Sequence, residues 1–207
     1  MYYCLNFFPQ LSPELTKAIN AIRNVHDPTA PYYPPHITLI FPTHHSVGEQ
    51  PLIDHIEKVL AHWSTFDIQL GGFRLKRDYW LFLSVAEGED YLKRLYRELH
   101  TGLLDDGRNL SRFVPHVGLG LFVREGCRHD WRNPLEADFD RERYEQALPL
   151  AEALPLSEPI LVEKLVLGTI SDAVIDWTRG RRAELPEDAH ETTVREFCLG
   201  AGASRMR

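Results

Sequence analysis

No segment of the sequence approaches the roughly 18 consecutive uncharged apolar residues of a membrane-spanning helix, which excludes that class. The three cysteines, Cys4, Cys127 and Cys198, form no C-x-x-C pair. Odd in number and far apart, they argue against a zinc ribbon or a disulfide framework and suit inert thiols in a reducing cytoplasm. Positive charge is also short: 23 basic side chains stand against 30 acidic ones, for a formal charge of −7. A protein that tracks duplex nucleic acid would carry the opposite field, although a small phosphorylated ligand needs only a few well-placed groups. The N-terminus, Met1-Tyr2-Tyr3-Cys4-Leu5-Asn6, has neither the positive region nor the small-residue cleavage site of a signal peptide, so it reads as a first strand. A phosphate-cradling glycine loop is missing too, because Gly118-Leu119-Gly120 lies within a strand pattern with no helix start behind it.

What is present is enough for a substantial core. Of 207 residues, 43% are hydrophobic and 11% aromatic, which suits one large domain or two lobes of about 100 residues each. The aromatic-rich run Tyr2 to Phe8 ends at Pro9 as a strand would. Ser12-Pro13-Glu14 reads as an N-cap, a first-position proline and a first-turn acid, and opens a helix that Asp27-Pro28 stops. The proline-rich approach Ala30 to Pro35 delivers the chain into a strand over His36 to Phe41, which Pro42 is expected to end. Periodicity then predicts a helix from about Pro51 to Trp63, and strands over Phe66 to Leu70 and Tyr79 to Val85, with Gly71-Gly72 as a bulge or bend. A third helix runs from Glu89 to about Leu103, and a proline-led strand covers Phe113 to Val123. Beyond it, a helix from Asp138 to about Leu148 is expected to break or bend at Pro149. A long strand over Leu161 to Ile170, a return strand over Val174 to Trp177 and an edge strand over Val194 to Leu199 follow, and 200–207 reads as a frayed tail.

The halves repeat. Pro35-His36-Ile37-Thr38-Leu39-Ile40-Phe41 aligns without gaps on Pro115-His116-Val117-Gly118-Leu119-Gly120-Leu121, with an offset of 80 residues. Each copy is followed by a helical stretch, a long strand and a return strand, an internal duplication too long in period for a solenoid. Strand alternation turns Ile37, Leu39 and Phe41 toward the core and His36, Thr38 and Ile40 away. In the second copy Val117, Leu119 and Leu121 face inward, and His116, Gly118 and Gly120 outward. Related by a pseudo-twofold axis, the outward faces would meet across one groove. Two imidazoles flanking a phosphorus suit in-line displacement, since a neutral ring takes a proton from water and a protonated ring gives one to the leaving oxygen. Thr38 could donate its hydroxyl to a non-bridging oxygen.

Two proline-led H-x-[T/S]-x-apolar strands about 80 residues apart resemble the 2H phosphoesterase superfamily, which includes 2′,3′-cyclic phosphodiesterases and the 2′-5′ RNA ligases. The likeness covers Tyr2 to about Trp177. It implies an α+β fold in one bilobal unit spanning 1–207. The two lobes would be built around strands 36–41 and 116–123, with antiparallel sheets lining a central cleft and helices outside. It also implies metal-independent chemistry without a cofactor. By motif position His36 and His116 would be the acid/base pair and Thr38 a phosphate anchor. Gly118 departs from the pattern, which places Thr or Ser there; weakened catalysis, or a binding module that lost turnover, is the expectation that departure carries. Gly118 would then line the phosphate site without a hydroxyl, while Ser111 or Arg112 could supply a replacement donor.

Other candidates read more plainly. Tyr32 and Tyr33 could stack on a base or simply pack, and His44-His45 lacks the carboxylate or cysteine a metal would want nearby. Arg74-Leu75-Lys76-Arg77 sits at a hairpin turn and reads first as solvated, second as reaching phosphates; Arg179, Arg181 and Arg182 read the same way. The expected partner is a small cyclic nucleotide or an RNA 3′ end, with no membrane and no obligate protein partner, the chain being a monomer.

Overall fold

The computed structural model describes residues 1–125, 127, 135–178, 189 and 191–200. In chain order the strands and helices are β1 (Tyr2–Phe7), α1 (Pro13–His26), β2 (Ile37–His44), α2 (Glu49–Leu60), β3 (Phe66–Leu75), β4 (Trp80–Glu87), α3 (Glu89–Leu99), β5 (His116–Leu121), α4 (Arg141–Glu152), β6 (Ile160–Val162), β7 (Lys164–Ile170), α5 (Asp172–Thr178) and β8 (Thr192–Cys198). Ser12 caps α1 as its position suggested, its hydroxyl accepting from the Leu15 amide at 3.3 Å. Asp140 does the same for α4, accepting from the Arg143 amide at 3.1 Å.

Two four-stranded antiparallel sheets result, ordered β2-β1-β7-β8 and β5-β4-β3-β6. In each, the motif strand forms one edge and pairs with the strand that precedes it across a helix, so β1-α1-β2 and β4-α3-β5 are the repeated units. The helices change places. α1 packs behind β5 and α3 behind β2, while β2 and β5 touch each other. His26 at the end of α1 lies against Phe122, ring centroids 5.3 Å apart, and Tyr96 of α3 stacks on Phe113 at 3.8 Å and meets Phe41 edge-on at 6.4 Å. One hydrophobic core joins Leu5, Ile37 and Leu39 of one sheet to Leu83, Val117 and Leu119 of the other.

The repeat extends to an irregularity. Leu5 pairs with Ile40 but Asn6 with Thr38, and Leu81 pairs with Gly120 but Phe82 with Gly118, so Leu39 and Leu119 are the extra residues of equivalent bulges. Past each bulge the alternation inverts. Ile40 and Gly120, expected on the groove side, face the core, whereas Phe41, expected inside, is 37% exposed. Only His36, Thr38, His116 and Gly118 keep the groove face that simple alternation assigned.

Other expectations are corrected by packing. β2 runs through Pro42 to His44, because an edge strand with a second register shift near this proline can spare one N–H. α4 passes through Pro149 and ends at Glu152, with Ala147 and Ala151 buried on either side of the proline and α4 lying against α1. The expected strand over Leu161 to Ile170 is two strands in different sheets: β6 pairs with β3, and β7 with β1 and β8. The chain crosses between them at Glu163, whose carbonyl accepts from the Leu199 amide at 2.8 Å. Val174 to Trp177 is helical, begun by Ser171, whose hydroxyl accepts from the Val174 amide at 3.4 Å; the return strand is β8. Gly200 is not frayed, since its amide donates to the Trp63 carbonyl at 3.2 Å; 201–207 and Arg179, Arg181 and Arg182 lie outside the described residues. Among the described residues no helix is long and apolar enough to cross a membrane.

The two motif glycines differ in what surrounds them. A Cβ on Gly120 would stand 2.7 Å from the His26 Cβ and 3.1 Å from the Phe122 ring, while one on Gly118 would meet nothing nearer than the Trp80 ring at 3.8 Å. Gly120→Ala is therefore expected to destabilise the fold by about 1–3 kcal/mol, and Gly118→Ala to leave stability nearly unchanged. Equilibrium denaturation of the two variants checks this.

Candidate active site

Each motif histidine is set by the same local device. Pro35 and Pro115 fix φ just before the imidazoles and hold the preceding residue extended. His36 Nδ1 then donates to the Pro34 carbonyl at 2.9 Å, and His116 Nδ1 to the Val114 carbonyl at 2.7 Å. A carbonyl can only accept, so Nδ1 carries the proton and each neutral ring keeps a lone pair on Nε2.

The approach to His36 is tied down from α1. Arg23, 2% exposed, donates from Nε to Asp27 Oδ2 at 2.9 Å and from Nη2 to the Tyr33 carbonyl at 2.8 Å. Asp27 Oδ1 in turn accepts from the Thr29 amide at 2.8 Å and hydroxyl at 2.6 Å. This buried, fully bonded ion pair joins the last turn of α1 to the loop that carries His36. Tyr33 is itself buried and packs with Cys4, Ile170, Val174 and Ile175, its ring 6.1 Å from that of His36. It forms a wall behind the imidazole rather than an open stacking face.

Thr38 lies directly across from Asn6, on the face that carries His36. Asn6 is buried and donates from Nδ2 to Glu191 Oε2 at 2.9 Å, and the Glu191 carboxylate rests on the bare Cα of Gly168. On the second sheet His116 lies opposite Ser84, and Gly118 opposite Phe82. The Phe82 ring stacks on His116, centroids 3.5 Å apart and planes 20° off parallel. Lys76 Nζ stands 4.9 Å from the Phe82 centroid, and Arg74 is the β3 partner of Phe82. Part of the basic hairpin thus belongs to the His116 face. Ser111 does not replace the missing hydroxyl, for its Oγ donates to Asn109 Oδ1 at 2.6 Å. The His44 and His45 rings lie 4.1 Å apart, tilted by 40°, and no group of three or more His, Cys, Asp or Glu suited to a metal occurs among the described residues.

Asn6, Trp80 and Phe82 are groove residues that sequence reasoning did not single out. For Trp80 and Phe82 the signal was the alternation along β4, which puts them on one face with Ser84, the residue opposite His116.

Burial lowers the pKa of His36; the Pro34 carbonyl opposes this, Arg23 adds to it and Asp27 offsets it. Burial likewise brings His116 down to about 4, against the Val114 carbonyl and helped by the charges of Lys76 and His36. The motif strands β2 and β5, at whose starts the two histidines stand, are in contact.

The family model of the 2′-5′ RNA ligase superfamily matches residues 10–152, more than half of the chain and both motif strands. The chain belongs to this superfamily. A protein of Geobacillus thermodenitrificans (strain NG80-2) bearing a phosphoesterase name is 29% identical over 123 residues, 58% of this chain and 69% of that one. Among solved structures, E. coli LigT complexed with 3′-AMP superposes with TM-score 0.57 at 17% identity, covering 96% of this chain and 99% of LigT. TT0787 of Thermus thermophilus gives TM-score 0.57 at 19% identity over 99% and 100%. At these identities the structural matches establish the fold, an α+β arrangement of two antiparallel sheets shared with LigT.

The depressed histidines of this superfamily member couple its stability to pH. Unfolded histidine binds a proton near pH 6.5, whereas folded His116 resists protonation down to about 4 and folded His36 is also lowered. The unfolded chain therefore takes up more protons below pH 6.5, and stability falls from there toward pH 4. Thermal melting across that range should show a falling Tm whose slope is reduced in His116→Asn.

Proposed function

We propose that the protein hydrolyses a 2′,3′-cyclic phosphate on a small nucleotide or an RNA 3′ end by a two-histidine acid/base mechanism. The observation that carries this reading is the matched pair of imidazoles, each with Nδ1 bonded to the carbonyl two residues before it, which leaves Nε2 as the ring's proton acceptor. One neutral Nε2 takes a proton from water as the water oxygen attacks phosphorus. The other histidine, protonated, gives its Nε2 proton to the departing ribose oxygen as the phosphorus–oxygen bond breaks. The product is a monoester, with the phosphate kept on the 2′ oxygen as is common in the family. Thr38 donates its hydroxyl to a non-bridging oxygen, and Gly118 leaves the matching position on the second sheet without one. The reverse direction would be ligation. The 3′-AMP complex of E. coli LigT supports nucleotides as the ligand class.

Product formation from the four 2′,3′-cyclic nucleotides should survive EDTA and be lost in both His36→Ala and His116→Ala; full activity in either variant would overturn the mechanism. Thr38→Ala should cost roughly ten- to a hundredfold, the worth of one hydrogen bond to a charged oxygen. A second reading, a binding module with little turnover, is favoured by the missing hydroxyl at Gly118 and the engagement of Ser111 elsewhere. Nucleotide binding without turnover at any pH would select it.

The rate should also report the lowered histidines. The reactive form needs one ring protonated and one neutral, and both rings titrate below the usual 6.5 in the free protein. The bell in kcat/KM should therefore peak on the acid side of pH 6.5. A bound phosphate anion favours imidazolium and raises both pKa values, so the bell in kcat should lie at higher pH than that in kcat/KM.

A further inference from the structure

The two copies can be compared neighbour by neighbour around their histidines. In the first, the hydroxyl lies on the motif strand itself, at Thr38, and Asn6 stands across from it on β1. Phe8 follows Phe7, the partner of Ile37, and brings its ring to 5.9 Å from that of His36. In the second copy Gly118 replaces the threonine, and Phe82 of β4 stands across from it where β1 has Asn6. Ser84 then lies directly opposite His116, in the place that Phe8 takes beside His36. Each histidine thus has an aromatic ring and a hydroxyl on its face, with their places exchanged. Phe82, opposite Gly118, stacks on His116 at 3.5 Å, and the hydroxyl sits across from the imidazole.

The setting of Ser84 leaves that hydroxyl free to act. β4 alternates, so Leu83 and Val85 are buried in the core while Ser84, half-buried, shares the face of His116. Directly opposed residues of an antiparallel pair hold their Cβ atoms roughly 5 Å apart, so a phosphate bonded to His116 comes within reach of Ser84. Among the described residues nothing bonds the Ser84 hydroxyl, whereas that of Ser111 is taken by Asn109.

We infer that Ser84 is the second phosphate anchor: its hydroxyl donates to the non-bridging oxygen that a threonine at 118 would have held, from the neighbouring strand instead of the motif strand. This deepens the proposed function and rests on reading the groove as a phosphodiester site. The phosphate then receives one hydroxyl from each sheet, Thr38 and Ser84, each bond strengthened by the charge on the oxygen that accepts it. The departure at Gly118 relocates a donor without removing it.

Turnover of a 2′,3′-cyclic nucleotide and equilibrium binding of adenosine 2′-monophosphate test this together. Ser84→Ala should weaken monophosphate binding and lower kcat/KM by roughly ten- to a hundredfold, the effect expected of Thr38→Ala. Its Tm should not change, since no protein group loses a partner, and Ser84→Thr should keep most of the activity. Returning the hydroxyl to the motif strand is the decisive arm. Gly118→Thr or Gly118→Ser should raise kcat/KM more in the Ser84→Ala protein than in wild type. Full activity and full affinity in Ser84→Ala would overturn the anchor, and so would a loss that neither substitution at 118 recovers. Weakened monophosphate binding in Ser84→Ala, in a protein that turns over no cyclic phosphate, would leave the anchor standing and remove the hydrolase reading. Turnover lost in the histidine variants but untouched in Ser84→Ala would do the reverse.

Discussion

Everything at the groove depends on the exchange of helices between the two copies. α1 grows out of the first sheet yet packs behind the motif strand of the second, and α3 does the converse. Neither sheet could bury its motif strand with its own helix alone. The exchange brings the edge strands β2 and β5 together, and with them the histidines at their starts. Where α1 meets β5, His26 sits over Gly120, and a Cβ there would come within 2.7 Å of the His26 Cβ. Core packing thus sets the spacing of the site, and the site residues themselves contribute little to it.

On that frame, orientation comes from short-range chemistry. The proline before each histidine holds the backbone so that a carbonyl two residues back meets Nδ1, which settles the tautomer without any carboxylate partner. In catalytic triads an acid commonly does this work. Here a backbone carbonyl does it, so each imidazole is oriented without a carboxylate bonded to Nδ1. Burial then lowers both pKa values, and the charge that restores a protonated ring must arrive with the ligand. The Arg23–Asp27 pair reinforces the His36 side only, by fixing the Tyr33 carbonyl.

Much of this was legible in the sequence, for identifiable reasons. The duplicated Pro-His strands carry an 80-residue register that no local ambiguity could obscure, and they located His36, Thr38, His116 and Gly118 on one face. α1 was legible because Ser12-Pro13-Glu14 announces it. What escaped were features decided at a distance. The bulges at Leu39 and Leu119 add a residue without altering composition, so alternation misassigned Ile40, Phe41 and Gly120 beyond them. The run from Leu161 to Ile170 is mostly apolar, and the Glu163-Lys164 pair that interrupts it marks where the chain passes from one sheet to the other. Val174 to Trp177 reads as a strand from its apolar residues, whereas the Ser171 hydroxyl opens a helix there.

The exchanged helices bear on how such a molecule could come from a shorter one. A half-length chain with one Pro-His strand would leave that strand uncovered by its own helix and would hold one imidazole. It would complete both core and site only by pairing with an identical copy across a true twofold axis. In that dimer any substitution would appear twice, so losing the threonine hydroxyl from one wall would lose it from both. Covalent joining of the halves removes that obligation. The fused chain carries Thr38 on one motif strand and Gly118, beside the Trp80 ring, at the matching position of the other, so the two faces no longer have to change together.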